Sequence, residues 1–389
     1  MSTNVAHTSD LWGQMQGWRH EIHRHPETAF EEHRTAKLVG GLLETWGIEV
    51  HRGVGNTGVV GVLRRGSGER RIGLRADMDA LMIQEQNEFE HRSRHDGRMH
   101  ACGHDGHTAM LLGAAQHLAM TGKFNGTVVF IFQPAEEHGE GARSMIEDGL
   151  FTRFPVDDVY AIHNFPSIET GHFAVRAGSI MAAEDNFEIV INGNGCHAAM
   201  PHLGRDAIVI GSEVVTSMQS LVARTLNPME HAVVSFTEFT TNGTVNVVPG
   251  QAVLKGDTRS LTTEVQDHIE STMERIVAGI CQAHGADYQF QYDRNFVPTV
   301  NTAKQAGIAT RVAGRIAGSE QVIADSKPVM TSEDFGYMLL ERPGAYILLG
   351  NGKEGIGGCS LHNPRYDFND EILSIGADFW VELVQSELQ

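Results

Sequence analysis

The chain has 389 residues, of which 41% are hydrophobic and 20% charged, so it is long enough for two folded domains rather than one ordinary core. Its formal charge of −19 argues against a nucleic acid or an anionic membrane as partner, because phosphate groups call for a positive surface. The four cysteines lack the spacing of a disulfide framework, and neither a basic leader nor a membrane-length apolar stretch is present. We therefore expect a soluble, cytoplasmic protein.

The first part of the chain predicts alternating helices and strands. Apolar residues at helical spacing indicate a helix over 9–25 and another over 34–46, and strands are predicted over 59–63 and 71–75. The second strand runs into Asp77 and Asp79. The carboxyl ends of strands are where open α/β sheets hold their ligands, so this position is a candidate for function.

The densest group of metal-binding residue types is Met99 to Thr108, MHACGHDGHT, with three histidines, a cysteine and an aspartate. Cys102 and His104 are separated by one residue, which allows both side chains to point at one centre. The apolar stretch 108–120 that follows predicts a buried helix, so these ligands would lie at a helix N-terminus. Thiolate and imidazole together favour zinc-like ions over calcium or magnesium.

Two more strands end in groups that could bind a metal. The apolar run 126–133 predicts a strand buried on both faces, and it is followed by Glu136 and Glu137. Adjacent buried carboxylates need a positive partner, so one is predicted to bind metal and the other to handle the proton of a water there. The residues alone do not decide which glutamate does which. The strand predicted over 158–163 ends in His163.

The pattern changes near residue 180. Strands are predicted over 185–192, 232–239, 251–260 and 287–292, with helices over 206–226 and 262–284, which is the β-α-β-β-α-β order of a ferredoxin-like domain. From residue 299 the chain is expected to return to the first domain through two helices, the strand 345–349, a loop carrying His362 and a final helix over 370–388. We therefore predict a catalytic domain formed by 1–180 and 295–389, with a satellite domain inserted over 181–294.

Seven motifs together resemble the aminoacylase/carboxypeptidase superfamily of co-catalytic metallopeptidases. They are similar to its subgroup of hippurate hydrolases, N-acyl-amino-acid amidohydrolases and auxin-conjugate hydrolases, and they follow the family's order along most of the chain. The motifs are RADMDAL (75–81), MHACGHDGHTAMLLGAA (99–115), QPAEEHGEGARSMIEDGLF (133–151), GCHAAMPH (195–202), NVVPG (246–250), SEDF (332–335) and LHNP (361–364).

The resemblance implies an α/β fold in which a metallopeptidase-like catalytic domain with a central mixed sheet carries the ferredoxin-like α+β satellite. It also implies a centre of two divalent metal ions and assigns Glu136 as general base. Three aspartates would orient ligands without touching metal, and the family suggests a cis peptide bond between His104 and Asp105. The implied ligands are Cys102, His104, Glu137, His163 and His362, and the implied orienting residues are Asp77, Asp79 and Asp105.

The satellite domain is expected to contribute three residues to the reaction. His197 matches a histidine that stabilises the oxyanion in relatives, often from the partner subunit of a dimer. Asn246 and Arg259 match positions that bind the free carboxylate of the substrate. The resemblance also implies a homodimer formed through the satellite and a closure that brings His197 to the metal centre.

The expected activity is metal-dependent hydrolysis of N-acyl-L-amino acids, such as hippurate or N-acetyl amino acids, to a carboxylic acid and a free amino acid. Zinc or manganese is expected, with cobalt or nickel also compatible with the ligand set. Two alternatives remain at this stage: a dipeptidase or aminopeptidase of the same family, and a non-catalytic homologue that binds metal or ligand. The acyl group cannot be read from the sequence.

Overall fold

The computed structural model describes residues 9–389, so the first eight residues of the predicted catalytic domain lie outside the described part. The strands are β1 Glu49–Val54, β2 Gly58–Arg65, β3 Arg71–Asp77, β4 Gly126–Gln133, β5 Asp158–Pro166, β6 Phe173–Ala174, β7 Gly178–Met181, β8 Ala183–Asn192, β9 Cys196–His197, β10 Ala232–Thr241, β11 Val247–Val248, β12 Gln251–Ser260, β13 Asp287–Phe296, β14 Thr299–Asn301, β15 Val322–Ile323 and β16 Gly344–Gly352. The helices are α1 Ser9–Arg24, α2 His33–Thr45, α3 His104–Thr121, α4 Gly141–Glu147, α5 Leu150–Arg153, α6 Ala207–Ser220, α7 Thr263–His284, α8 Ala303–Ala317, α9 Phe335–Glu341 and α10 Leu373–Glu387.

The chain divides into two compact units. The first contains the residues up to Ile180 together with Val300–Lys327 and Asp334–Gln389. The second contains Met181–Thr299 and Pro328–Glu333. The predicted satellite, 181–294, stops inside β13, because that strand continues to Phe296.

The first unit is built on an eight-stranded mixed sheet with the order β1-β2-β4-β3-β5-β16-β6-β15. Its central strands β4, β3, β5 and β16 run parallel to one another, whereas β2 pairs antiparallel with both β1 and β4, and β6 pairs antiparallel with β16. The central strands are almost completely buried, as expected for parallel strands covered on both faces. The central mixed sheet of the predicted fold class is confirmed.

Parallel strands place their carboxyl ends at one edge of the sheet, and this edge carries the candidate site. Asp77, the last residue of β3, pairs with Gln133, the last residue of β4. His163 lies near the end of β5, which pairs with β3 on its other side. Helix α3, whose first residue is His104, is buried along most of its length and packs against α1 and α10. Its burial explains the absence of a polar stripe in its sequence.

The second unit has the predicted ferredoxin-like architecture. Its four-stranded sheet has the order β10-β12-β8-β13, and every neighbouring pair is antiparallel. Two helices, α6 and α7, connect the strands in the order β-α-β-β-α-β. Both helices begin at side-chain caps: Asp206 accepts from Ile208 N and Val209 N, and Thr262 accepts from Val265 N. The short strands β9 and β11 form a separate pair.

Several element boundaries differ from those predicted. Strand β1 was not predicted, because its sequence EVHRGV has no continuous apolar run and Val54 is its only buried residue. Helix α9 begins at Phe335 rather than at residue 332, and the predicted helix over 206–226 ends in a π-helical turn, Leu221–Thr225. Among residues 9–389, no helix combines the length and the apolar character needed to cross a lipid bilayer.

Candidate functional site

The turn that leads into α3 carries the first two predicted ligands. Gly103 lies between Cys102 and His104 with a φ of 98°, a left-handed conformation that glycine adopts without strain. A side chain at this position would also collide with Asn164 and with the hydroxyl of Tyr366. Because residue 103 is glycine, the turn can bring the side chains of Cys102 and His104 to the same side.

The hydrogen bonds of His104 and His163 leave the same ring nitrogen available in both residues. Nδ1 of His104 donates to the carbonyl oxygen of Asp79 at 2.9 Å, and Nδ1 of His163 donates to the carbonyl oxygen of Asn164 at 2.6 Å. Nε2 of His163 lies 3.4 Å from Sγ of Cys102. A carbonyl partner on Nδ1 is the usual way in which a metal-ligating histidine is oriented.

The two glutamates occupy different surroundings after β4. Ala135, immediately before them, has a φ of 50°, and its N–H donates to Oε1 of Glu32 at 2.9 Å. Oε2 of Glu136 lies 3.9 Å from Nε2 of His104, whereas Oε2 of Glu137 lies 3.3 Å from Nε2 of His362. The turn thus directs both carboxylates into the same cluster, and Glu137 makes the closer contact with a histidine.

His362 reaches the cluster from the loop before α10. Its φ is 61°, which is unusual for a residue with a side chain, and its N–H donates to the carbonyl oxygen of Ala101 at 2.8 Å. The side chain is 52% exposed, so it is the most accessible of the proposed ligands. The hydrogen bond and the negative charge of Glu137 raise the pKa of His362, although burial acts against them.

The proposed ligands form overlapping groups within the first unit. In each group the possible ligand atoms lie within 4.8 Å of one another. Cys102, His104 and Glu137 each belong to two of these groups and therefore connect them. The groups are Cys102, His104 and His163; Cys102, Glu137 and His362; and His104, Glu136 and Glu137.

The cluster fits a bound cation. Nε2 of His104 and Oε1 of Glu137 are buried, lack a hydrogen-bond partner, and lie 3.9 Å apart. Leaving such atoms unpaired in a protein interior is costly, and a metal ion would satisfy both. The donor set of thiolate, imidazole and carboxylate suits zinc and its first-row neighbours.

The charges of the site agree with this fit. Burial alone would lower the pKa of His104, but the carboxylates of Asp77, Asp79 and Glu137 raise it to about 10. Burial and the neighbouring His107 hold the pKa of His163 well below its usual range. These surroundings favour the neutral form of His163 that metal binding requires, and the carboxylates around His104 favour a cation at that position.

The three predicted orienting aspartates have different contacts. Asp79 touches two proposed ligands, because its Oδ1 lies 3.1 Å from Nδ1 of His104 and its Oδ2 accepts from Glu137 N at 3.0 Å. Asp77 hydrogen-bonds Arg75 and His107 instead. Asp105 hydrogen-bonds Arg19 and His23 rather than a proposed ligand.

His107 has a structural role that the sequence did not reveal. Its Nε2 accepts from Asn164 N at 2.9 Å and its Nδ1 donates to Oδ1 of Asp77 at 2.6 Å, so both ring nitrogens are used. Asn164 also donates from Nδ2 to the carbonyl oxygen of Cys102 at 2.7 Å. The only sequence signals for these two residues were the position of His107 inside the MHACGHDGHT motif and the position of Asn164 directly after His163.

The expected cis peptide bond between His104 and Asp105 is not found. No peptide bond within residues 9–389 is cis. The expectation came from the family resemblance and not from these residues, and it is wrong for this chain. The turn at Gly103 provides the change of direction before His104 instead.

The three predicted substrate residues of the satellite all lie in the second unit. His197 is exposed, pairs with Val247 across β9 and β11, and accepts at Nδ1 from Ala199 N at 3.0 Å. Asn246 is next to it, since its carbonyl oxygen accepts from Ala198 N at 3.0 Å. Arg259, on β12, forms ion pairs with two acidic residues, Glu184 at 2.7 Å and Asp257 at 3.0 Å.

The chain is similar to known hydrolases over most of its length. The chain is 39% identical over 382 residues to the hippurate hydrolase of Campylobacter jejuni, covering 98% of each protein. It is 42% identical over 287 residues to the N-acyl-L-amino acid amidohydrolase of Geobacillus stearothermophilus, covering 73% of this chain and 77% of that one.

The chain also matches a solved structure and a family profile. The crystal structure of Bacillus subtilis YxeP, described as a dinuclear metal-binding peptidase of the M20 family, matches with a TM-score of 0.85 and 30% identity. The match covers 97% of this chain and 99% of that one. The profile of peptidase family M20/M25/M40 matches residues 73–386, so this chain belongs to that family.

Proposed function

We propose that this chain, a hydrolase of amide bonds, is a metal-dependent enzyme that cleaves N-acyl-L-amino acids to a carboxylic acid and a free amino acid. The observation that carries the proposal is the set of overlapping ligand groups that share Cys102, His104 and Glu137, in which Nε2 of His104 and Oε1 of Glu137 are buried without a partner; Glu136 belongs to one of these groups. The names of the similar C. jejuni and G. stearothermophilus enzymes favour N-acyl amino acids as the substrate class.

Two divalent ions would be held by the same five side chains that the family resemblance implies. When bound, they supply Lewis acidity that makes water more acidic and polarises the acyl carbonyl. We propose zinc or manganese, because thiolate favours zinc while the carboxylates also accept manganese; cobalt and nickel are compatible with the same donors. The proposed ligands are Cys102, His104, Glu137, His163 and His362.

Glu136 is the proposed general base. Its carboxylate lies in the ligand group formed with His104 and Glu137, within hydrogen-bonding reach of a water placed there. It would remove a proton from that water as the oxygen attacks the acyl carbon. The same proton would then pass from Glu136 to the nitrogen of the leaving amino acid as the C–N bond breaks.

His197 is proposed to stabilise the negative charge that develops on the carbonyl oxygen. Since Nδ1 of His197 accepts a hydrogen bond from Ala199 N, the proton of the neutral ring is on Nε2. Nε2–H is therefore a donor, as an oxyanion requires.

Arg259 and Asn246 are proposed to select substrates with a free α-carboxylate. Arg259 uses Nε and Nη1 in its contacts, and no described residue accepts from its Nη2. Likewise, no residue in the described part of the chain accepts from Nδ2 of Asn246. Both side chains thus retain a donor for a carboxylate oxygen, and both lie in the same unit as His197.

We also propose that the protein is a cytoplasmic homodimer that associates through the second unit. The support is the outer edge of β10, which has no neighbouring strand in the four-stranded sheet and exposes Val233 and Phe239. The four cysteines are unpaired, as in a reducing compartment. Light scattering during size-exclusion chromatography would measure the molar mass of the assembly directly. A monomer at micromolar concentration would contradict the proposed dimer.

The test is release of free amino acid from N-benzoylglycine and a series of N-acetyl amino acids by zinc- or manganese-loaded protein. Glu136→Gln should lower turnover by about 10²–10⁴-fold with metal content unchanged. Glu140→Gln, an exposed glutamate in the same turn, is the matched control and should retain activity. Cleavage of dipeptides with no turnover of acyl amino acids would replace this proposal with a dipeptidase.

A further inference from the structure

Arg19, on α1, connects segments that are distant from it in the sequence. Its side chain is completely buried, and each of its three nitrogens faces a different carboxylate. Nε donates to Oδ2 of Asp105 at 2.9 Å and Nη1 donates to Oδ1 of Asp370 at 3.3 Å. Nη2 donates to Oδ1 of Asp367.

These carboxylates belong to two segments that carry proposed metal ligands. Asp105 directly follows His104 in the first turn of α3. Asp367 and Asp370 follow His362 on the stretch that leads into α10. Arg19 itself contacts no proposed ligand, so its effect on the site would be transmitted through these two backbone segments.

The position of His362 depends on how its segment is held. The residue has a positive φ of 61° and a half-exposed side chain, and its own anchors are one backbone hydrogen bond and the contact with Glu137. A residue with a side chain adopts this conformation only when its surroundings impose it. Beyond His362, the segment is held by the Arg19 contacts with Asp367 and Asp370 and by hydrogen bonds to its backbone, such as that from Nδ2 of Asn87 to the carbonyl oxygen of Tyr366 at 2.9 Å.

Apolar and neutral contacts complete this attachment. The ring of Phe368 lies 5.9 Å from Cζ of Arg19 and occupies the space into which a side chain at Gly106 would project. The hydroxyl of Tyr366 donates to Oδ1 of Asn164 at 2.6 Å. The segment 366–370 is therefore packed onto the beginning of α3, and the buried guanidinium supplies positive charge to the carboxylates there.

We infer that Arg19 is a positioning residue of the metal centre, which holds the segment bearing His362 against the helix start bearing His104. This inference rests on the proposed function, because it takes both histidines as ligands. The planar guanidinium suits the task because it can donate in three directions at once, whereas the ammonium group of lysine is a single point of charge. Arg19→Lys keeps the charge but loses this geometry.

The experiment compares Arg19→Lys with Arg70→Lys in the full chain. Arg70 is the matched control, since its Nη2 also donates to two carboxylates, Asp158 at 2.7 Å and Glu387 at 2.8 Å, away from the ligands. The readouts are amide hydrogen exchange over residues 359–370, with and without Zn²⁺, and Zn²⁺ affinity from competition with a chelator. We expect at least about tenfold faster exchange and at least about tenfold weaker binding of one ion in Arg19→Lys alone.

A second variant covers the case in which Arg19→Lys does not fold. Asp367→Asn combined with Asp370→Asn keeps the contact between Arg19 and Asp105, and it should show the same two changes. The inference would be overturned if a variant that folds has the same amide hydrogen exchange and the same Zn²⁺ affinity as the Arg70→Lys control.

The outcomes separate this inference from the proposed function. If the wild-type protein hydrolyses no acyl amino acid but Arg19→Lys accelerates exchange over 359–370, the proposed function fails and the positioning of that segment stands. If the wild-type protein is active and the Arg19 variant changes neither readout, only the positioning role is refuted.

Discussion

Oδ1 of Asp77 lies 2.6 Å from Nδ1 of His107, a contact that ties the end of β3 to the first part of α3. The other oxygen of Asp77 accepts from Nη1 of Arg75 at 2.6 Å. Burial alone would raise the pKa of Asp77, but the positive charges of His104 and Arg75 and the hydrogen bond from His107 hold it well below its usual range. Asp77 thus joins β3 and α3, two elements of the site.

Replacing this carboxylate should destabilise the first unit. In Asp77→Asn an uncharged amide replaces the carboxylate that accepts hydrogen bonds from Arg75 and His107. The buried guanidinium of Arg75 therefore loses one of its negatively charged partners. We expect a loss of about 3 kcal/mol in the free energy of unfolding, measured with urea. Asp148→Asn, which breaks an ion pair with Arg153 at the surface, should cost less than about 1 kcal/mol. Equal effects of the two substitutions would contradict this role of Asp77.

Two ligand substitutions should affect metal binding differently. Cys102 belongs to two of the ligand groups, whereas His362 belongs to one. Cys102→Ala should therefore weaken the binding of both ions by at least about tenfold, while His362→Ala should weaken the binding of only one ion. Chelator competition and metal analysis of the dialysed protein would distinguish the two patterns. A loss confined to one ion in both variants would show that Cys102 does not lie between the metals.

His197→Ala should separate catalysis from folding. The side chain is exposed and its only described hydrogen bond is the one from Ala199 N, so the free energy of unfolding should change by less than about 0.5 kcal/mol. If Nε2–H stabilises the oxyanion, kcat should fall by about 10²–10³-fold. His202→Ala, an exposed histidine in the neighbouring turn, should change neither quantity. A kcat for His197→Ala within a few-fold of wild type would remove the residue from the mechanism.

His23 should make stability depend on pH. Burial lowers its pKa, but the charge of Asp105 and hydrogen bonds to Asp105 and Glu85 outweigh burial and raise the pKa from 6.5 to about 9. Because the folded pKa is the higher one, the stabilisation is fully present below pH 6.5 and disappears as the pH rises towards 9. The contribution is at most about 3 kcal/mol.

Urea unfolding across this pH range would measure the contribution of His23. The wild-type protein should lose more stability than His23→Gln between pH 6.5 and 9, and the two curves should be parallel above that range. Other groups that titrate in the same interval, such as Glu32, whose pKa is raised to about 7 by burial, affect both proteins equally. Parallel curves over the whole range would show that His23 is not charged in the folded protein.

Much of the fold was accessible from periodicity and composition. Strand β4 and strand β12 have the predicted ends. The continuous apolar run of β4, bounded by turn residues, is a strong sequence signal, whereas the regular alternation of β12 is in the burial of its residues. The ferredoxin-like unit followed from the order of its elements. Strand β1 was missed because it has no continuous apolar run, and its identity depends on pairing with β2.

The sequence by itself determined which residue types could form the site, since thiol, imidazole and carboxylate groups are concentrated in a few short motifs. It did not decide between Glu136 and Glu137. Both carboxylates lie 3.9 Å from Nε2 of His104, and the contact of Glu137 with His362 appears only in three dimensions. The tertiary structure also decided how most of the histidine nitrogens are used. Nδ1 of His104 and both ring nitrogens of His107 bond to residues distant in the sequence, whereas Nδ1 of His163 bonds to the next residue, Asn164. The charge held around the site likewise comes from buried contacts between distant segments, such as that of Arg19 with Asp105, and no local pattern encodes them.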